Sequence, residues 1–412
     1  VRMAGTMPAG KTVIAFRPAR IEALGGIAVK EAEVKRILRT LGFAVEGKGE
    51  SLQVTAPSFR PDVHGSADLV EEIVRIVGIG TVPAVAMPRG SGVARPTLTD
   101  GQKRVRRARR TLAGRGLVEA ITWSFITEAD AKAFGGGADE LALGNPISSE
   151  MTHMRPSLLP GLIAAVKRNL DRSLGDHGLY EIGQAYRGDQ PEDQSMRAAG
   201  VRCGLAGLPG IGRHWSGKAE PANVFDAKAD AFAVLAAAGL DPSKAQVTRA
   251  APAWFHPGRS GTLRLGPKVV LGHFGALHPA TLTGFGITAA VAAFEIDLDA
   301  LPAAKRKATR ARPALEAADL QPVRRDFAFV LDANVAAADV VKAAEGVDRQ
   351  LIAGVSVFDL YEGGSLGVGK KSLAFEVTLQ PKEKTLTDQE IEAVAVKIVA
   401  SVKKATGGEI RG

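Results

Sequence analysis

The chain has 412 residues, 45% of them hydrophobic and 24% charged, enough apolar material for two to four packed domains. Its formal net charge is +9, an excess that suits either a polyanionic partner or plain solubility. One cysteine, Cys203, excludes a disulfide within the chain and argues against a thiolate zinc site, which fits a reducing cytoplasm. The longest apolar run, residues 231–240, is too short for a transmembrane helix, and the start lacks the pattern of a signal peptide. A chain that opens on Val1 within an Ala/Gly/Pro-rich stretch is expected to be part of a longer polypeptide.

In chain order, Val34, Ile37, Leu38 and Leu41 have the spacing of an amphipathic helix over 30–41, stopped by Gly42. Residues 52–56 alternate as a short strand, and Pro61 keeps Arg60 in a loop. A second helix is predicted over 66–77, with Ser66 as N-cap and Leu69, Val70, Ile73, Val74 and Val77 as its apolar face. Asp68, Glu71 and Glu72 share its other face, and Asp62 lies in the loop just before. Four convergent carboxylates would suit a hard cation such as magnesium; acidic residues in a first helical turn are also stabilised by the helix dipole alone. The spacing leaves both readings open.

Residues 83–99 lack periodicity and are predicted to be a linker. Residues 103–112 form a helix with a thin apolar stripe of Val105, Ala108 and Leu112 and arginines elsewhere, a face for solvent, RNA phosphate or an acidic partner. Strands are expected over 119–126, 179–183, 262–265, 269–277 and 291–298, helices over 158–170 and 229–238, and a turn-rich loop over 255–261. The outcome is a mainly antiparallel sheet. No G-x-S-x-G elbow surrounds a serine, and His214, His256, His273 and His278 lack metal-site spacing, so no catalytic constellation emerges.

After a basic linker at 305–313, the order is strand 325–331, helix 336–345, strand 355–361, strand 372–380 and helix 388–404, with a short strand near Ile410. That is the ferredoxin-like split βαβ arrangement. Gly364, Gly369 and Lys370 resemble most of a phosphate-binding P-loop. Such a loop must lead into a helix, and its lysine must precede a Ser or Thr that holds magnesium. Here a strand follows and position 371 is lysine, so a hairpin presenting Lys370 and Lys371 is the better reading and an NTPase the poorer one.

These residues resemble one family. Arg324-Arg325-Asp326-Phe327, Phe358-Asp359-Leu360-Tyr361-Glu362-Gly363, Gly369-Lys370-Lys371-Ser372 and Thr385-Leu386-Thr387-Asp388 are similar to the anticodon-binding domain of bacterial phenylalanyl-tRNA synthetase β subunits. Pro57-Ser58-Phe59-Arg60-Pro61-Asp62 with Asp68-Leu69-Val70-Glu71-Glu72-Ile73 resembles their B5 domain, and Phe255-His256-Pro257-Gly258-Arg259-Ser260 their catalytic-like module. The resemblance implies an α+β multidomain chain: B5 domain 1–85, linker 86–100, class II synthetase-like core without catalytic motifs 101–300, basic linker 301–318 and ferredoxin-fold domain 319–412.

It further implies an (αβ)2 ligase that joins phenylalanine to tRNA(Phe), with ATP used in the α subunit. Asp62, Asp68, Glu71 and Glu72 would match magnesium ligands at the junction with α. Where class II enzymes place an arginine two residues before a strand glutamate, Leu179 precedes Glu181, so the core is expected to be non-catalytic. Without the family's N-terminal RNA-binding and editing domains, the chain alone is expected to be inactive. Arg324, Arg325, Lys370, Lys371, Lys382 and Lys384 are the candidate tRNA contacts. A stand-alone RNA-binding module is the competing class.

Overall fold

The computed structural model of the chain describes residues 4–5, 10–88, 90, 96–206, 220–303, 314 and 317–411; the basic run 305–313 and His214 lie outside them. Two compact units, Val1–Pro302 and Ala303–Gly412, divide the chain, and together they make an α+β multidomain architecture with largely antiparallel sheets.

The first unit opens with β1 (Val13–Phe16), α1 (Ala19–Gly25), α2 (Glu31–Thr40), β2 (Ala44–Lys48), β3 (Ser51–Thr55) and α3 (Ser66–Val77). The antiparallel sheet has the order β1-β3-β2. Val34, Ile37 and Leu38 bury one face of α2 against Leu69 and Ile73 of α3 and Leu52 and Val54 of β3, because their spacing places them on single faces of each element. Gly42 takes φ 90° just past α2, and a Cβ there would stand 3.1 Å from the Phe59 ring, so only glycine fits the turn.

A second part of this unit carries α4 (Asp100–Gly114), β4 (Val118–Glu119), β5 (Phe125–Ile126), α5 (Glu128–Ala133), β6 (His153–Met154), α6 (Leu159–Leu170), β7 (His177–Tyr186) and β8 (Gln194–Cys203). It continues through α7 (Val224–Ala237), β9 (Gln246–Thr248), β10 (Phe255–Leu265), β11 (Val269–Leu277), α8 (Pro279–Gly284) and β12 (Val291–Asp297). Seven strands form one sheet, β4-β7-β8-β12-β11-β10-β9, antiparallel except for the parallel β4–β7 pair. Alternation along β12 sends Ala292, Phe294 and Ile296 into a core with α4 and α7, and Val291 and Ala293 into a second core with α6.

Three expectations change here. Residues 119–126 are two short strands in different sheets instead of one, because Thr122 turns aside to donate to Glu181 Oε2 at 2.6 Å. Residues 255–261 belong to β10 and are not a free loop: the register is interrupted between Phe255 and Ser260, and Ser260 Oγ donates to His256 O at 2.6 Å across the irregularity. Pro257 and Gly258 mark a bulge as readily as a turn. α4 begins earlier than residue 103, where the Thr99 hydroxyl and the Gln102 side chain cap each other's backbone N–H.

The second unit runs β13 (Val323–Asp332), α9 (Ala337–Glu345), β14 (Ile352–Tyr361), β15 (Lys370–Leu379), α10 (Asp388–Thr406) and β16 (Glu409–Ile410). Its antiparallel order β14-β15-β13-β16 is the ferredoxin-like arrangement that the sequence predicts. Phe327, Phe329 and Leu331 with Leu373, Phe375 and Val377 face the helices, where Ile391, Ile398 and Val402 of α10 complete the core. Strand β15, not a helix, follows the glycine loop, so that loop has no helix N-terminus to offer a phosphate. Among the described residues no helix is long and apolar enough to cross a membrane.

Candidate nucleic-acid interface and carboxylate cluster

With one face of the ferredoxin-like sheet filled by helices, period-two alternation leaves the other face to Arg324, Asp326, Ala328 and Val330 of β13 and to Ala374, Glu376 and Thr378 of β15. The edge strand β14 is apolar on both parities. Its register shifts between Val357 and Asp359, leaving Phe358 opposite no residue and 59% exposed. Tyr361 ends the same strand half-exposed, and the guanidinium of Arg411, from beyond the opposite edge strand, lies over its ring at 5.6 Å. Residues from both edges therefore meet at the open face as an aromatic and cationic platform on which a base can stack.

The six predicted contacts fall out unequally. Arg324 is exposed on the open face with Glu376 at 3.8 Å, a screened surface pair. Arg325 is exposed but shares the parity of Phe327, so it leaves the sheet on the helix side. Lys370 pairs with Asp332 at 2.7 Å, and Lys384 with Glu390 at 2.6 Å, a bond that raises the lysine pKa and holds the Glu390 carboxyl at about 2. Lys382 is exposed with no ion pair among those observed. Lys371 departs from the expectation: it is buried, and its ammonium donates to Ala333 O at 3.0 Å and Val335 O at 2.6 Å. Its charge holds the turn before α9 and does not face solvent. Sequence reasoning missed Phe358, Tyr361 and Arg411. A strand with apolar residues on both parities at a sheet edge was the available signal for the first two; Arg411 offered none.

The carboxylates near α3 are engaged by cations and amides of the chain itself. The Arg60 guanidinium donates to Asp62 from Nε (2.9 and 3.2 Å) and Nη2 (2.6 Å), and Nη2 also donates to Glu72 Oε1 at 2.9 Å. Arg75 Nη2 holds the other oxygen of Glu72 at 2.6 Å. These bonds lower the Glu72 pKa against its burial and bring Asp62 to about 2. Asp68 Oδ2 accepts from the backbone N–H groups of His64 (2.9 Å) and Gly65 (2.8 Å), which lowers its pKa and fixes the entry into α3. Glu71 is exposed. Among the described residues no group of three or more His, Cys, Asp or Glu side chains is gathered to hold a metal ion. Of the magnesium set implied by the resemblance, Asp62 and Glu72 have the Arg60 guanidinium between them and Asp68 is engaged by backbone amides.

On the α6 side of the large sheet, cross-strand pairing places Glu181, Ala199, Glu295, His273 and Thr262 in one row over five strands. Every charge in it is internally matched. Arg155 donates to Glu181 Oε1 at 2.8 Å, Thr122 Oγ1 at 3.0 Å and Gln184 O at 2.9 Å. Arg197 donates to Glu295 Oε2 at 2.8 Å and Pro156 O at 3.0 Å, while Ser157 Oγ and the Leu158 N–H supply Glu295 Oε1. Gly272 permits the strand spacing beneath: a Cβ there would lie 2.2 Å from Glu295 O. Leu179, in the position that class II enzymes give to arginine, is buried in the α6 core. Paired buried ions of this kind hold a shape, each carboxylate being met by an arginine of the chain itself.

A largely antiparallel seven-stranded sheet with a paired row of buried charges, joined in sequence to a ferredoxin-like unit with exposed aromatic and cationic side chains, defines an α+β multidomain chain. Family profiles match in the same order. "tRNA synthetase B5 domain" covers residues 14–79, "Phenylalanyl tRNA synthetase beta chain CLM domain" 84–298 and "Ferredoxin-fold anticodon binding domain" 318–411. The chain belongs to the phenylalanyl-tRNA synthetase β chain family. It is 55% identical over 399 residues to the phenylalanine–tRNA ligase β subunit of Bradyrhizobium diazoefficiens, covering 97% of this chain and 50% of the relative. It is also 55% identical over 413 residues to that of Rhodopseudomonas palustris, covering 100% and 51%. The chain thus spans about half the length of the curated relatives it matches. A pyrrolysyl tRNA synthetase structure from Desulfitobacterium hafniense overlaps 48% of the chain and 65% of its own at TM-score 0.36 and 16% identity, too little to carry an argument.

Proposed function

We propose that this chain is the part of a phenylalanine–tRNA ligase β subunit that engages the anticodon region of tRNA(Phe) and docks the α subunit, without a synthetic active site of its own. The observation that carries the reading is the open face of the ferredoxin-like sheet, where the Arg411 guanidinium lies over the Tyr361 ring, with Phe358 exposed on the same edge strand and Arg324 exposed towards the other end of the face. Single-stranded anticodon bases would stack on the aromatic rings, while Arg324 and Lys382, joined by Lys370 and Lys384 where these leave their carboxylate partners, attract phosphates. In this reading Arg325 reaches RNA only from the sheet's end, and Lys371 supports the turn.

The large sheet serves as a scaffold for the α subunit, where ATP and phenylalanine would react in a cytoplasmic (αβ)2 assembly. Its matched buried ion pairs support that role, since Arg155 and Arg197 are both engaged by carboxylates of the chain itself. The reading requires no cation at the Asp62–Glu72 cluster. Fusing this chain to the N-terminal half of a relative's β subunit and adding an α subunit tests it: phenylalanine-dependent charging of tRNA is expected, and the chain alone is expected to charge nothing. Tight RNA binding without co-purification of a synthetase-like partner would favour a stand-alone RNA-binding module.

A further inference from the structure

We infer that Arg60 is the resident cation of the carboxylate cluster beside α3, and that a divalent ion can enter between Asp62 and Glu72 only by displacing it. Arg60 satisfies both oxygens of Asp62 and one of Glu72 through four hydrogen bonds of 2.6–3.2 Å, and Arg75 takes the remaining Glu72 oxygen. A hard cation binds carboxylate oxygens at roughly 2.0–2.6 Å, so it must occupy the space that the guanidinium fills. The two occupants exclude each other sterically and by like charge.

The seat is built for the arginine. Glu72 is buried with its side chain 8% exposed, and a buried carboxylate requires a permanent counter-ion. Arg60 meets that need from within the chain, in a turn closed by its N–H to Pro57 O at 3.0 Å and followed by Pro61, which disfavours helical backbone at residue 60. It also ties that loop to the middle of α3, twelve residues further on. Asp68 is meanwhile committed to the amides that start the helix, so even a cation that displaced Arg60 would have to break a cap to recruit it. The cluster is therefore closed to metal by default and opens only where something else takes the guanidinium, such as an acidic group of a docking partner.

Manganese(II) binding to the 412-residue chain, followed by electron paramagnetic resonance, tests this. Wild type is expected to bind weakly. Arg60→Met keeps the stem and removes the charge, and is expected to bind at least ~10-fold more tightly, the gain vanishing again in Arg60→Met/Asp62→Asn. Equal or weaker binding by Arg60→Met overturns the inference. Because that variant could lose its fold, the wild-type Arg60 Nε–H resonance gives a second reading: it should stay unmoved by magnesium at sub-millimolar concentration, and a shift or loss there overturns the inference independently. Neither readout depends on tRNA.

Discussion

At the scale of single residues, His273 shows how burial sets chemistry. Desolvation between β10 and β12 lowers its pKa from 6.5 to about 4, with its Nδ1 2.8 Å from Thr262 Oγ1. Above pH 6.5 the ring is neutral both folded and unfolded. As pH falls from 6.5 towards 4, the unfolded chain takes up a proton that the folded one refuses, so stability declines across that window, by about 3 kcal/mol once complete. A His Cε1–H NMR titration should place the midpoint near 4; a midpoint near 6.5 would show an open ring.

Tyr361 and Lys382 make a contrasting pair of predictions. Tyr361→Ala should weaken tRNA binding by about 1–3 kcal/mol at every salt concentration, because stacking releases no counterions. Lys382→Ala should instead reduce the slope of log affinity against log salt, by about one phosphate contact. Filter binding over a salt series distinguishes them.

Elements are held to one another by ion pairs that no local pattern reveals. Asp230 on α7 is fully buried between Arg202 of β8 (2.6 and 3.0 Å) and Arg115 at the end of α4 (2.6 Å). Asp230→Asn should cost about 3–5 kcal/mol, seen as a lower denaturant midpoint of the first unit, because two arginines lose their buried counter-ion. Lys371 works similarly between β15 and the turn before α9. Lys371→Met should destabilise the second unit by about 1–3 kcal/mol and leave the salt slope of tRNA binding unchanged. The helices α2, α3 and α10 and the strand β15 were legible in the sequence, because each shows a clean 3.6 or 2.0 period next to a cap or glycine, although the N-cap of α3 is Gly65 and not Ser66, which is already the first helical residue. The bulged start of β10 was not legible, since Pro257-Gly258 signals a turn and a bulge alike. Neither were the fates of Arg60, Lys371 and Asp230, whose partners lie 12, 36–38 and 28–115 residues away and are chosen by tertiary folding.

For the molecule as a whole, a net charge of +9 suits a polyanionic partner and plain solubility alike; the folded units narrow the choice. The large sheet neutralises its own buried charges, whereas the ferredoxin-like unit leaves aromatic rings and cations exposed on one face. The domain order needed only short motifs in each domain, while the platform required the register that brings Tyr361 and Arg411 together from opposite edges of the sheet. The central claim is that this face grips the anticodon region. Fluorescence anisotropy of a labelled tRNA(Phe) anticodon stem-loop, titrated with the assembled α–β complex, tests it most directly. We expect salt-dependent binding that drops at least ~10-fold in Tyr361→Ala/Arg411→Ala. Unchanged affinity in that double variant, or no binding of the stem-loop by a complex that still binds whole tRNA, would contradict the account.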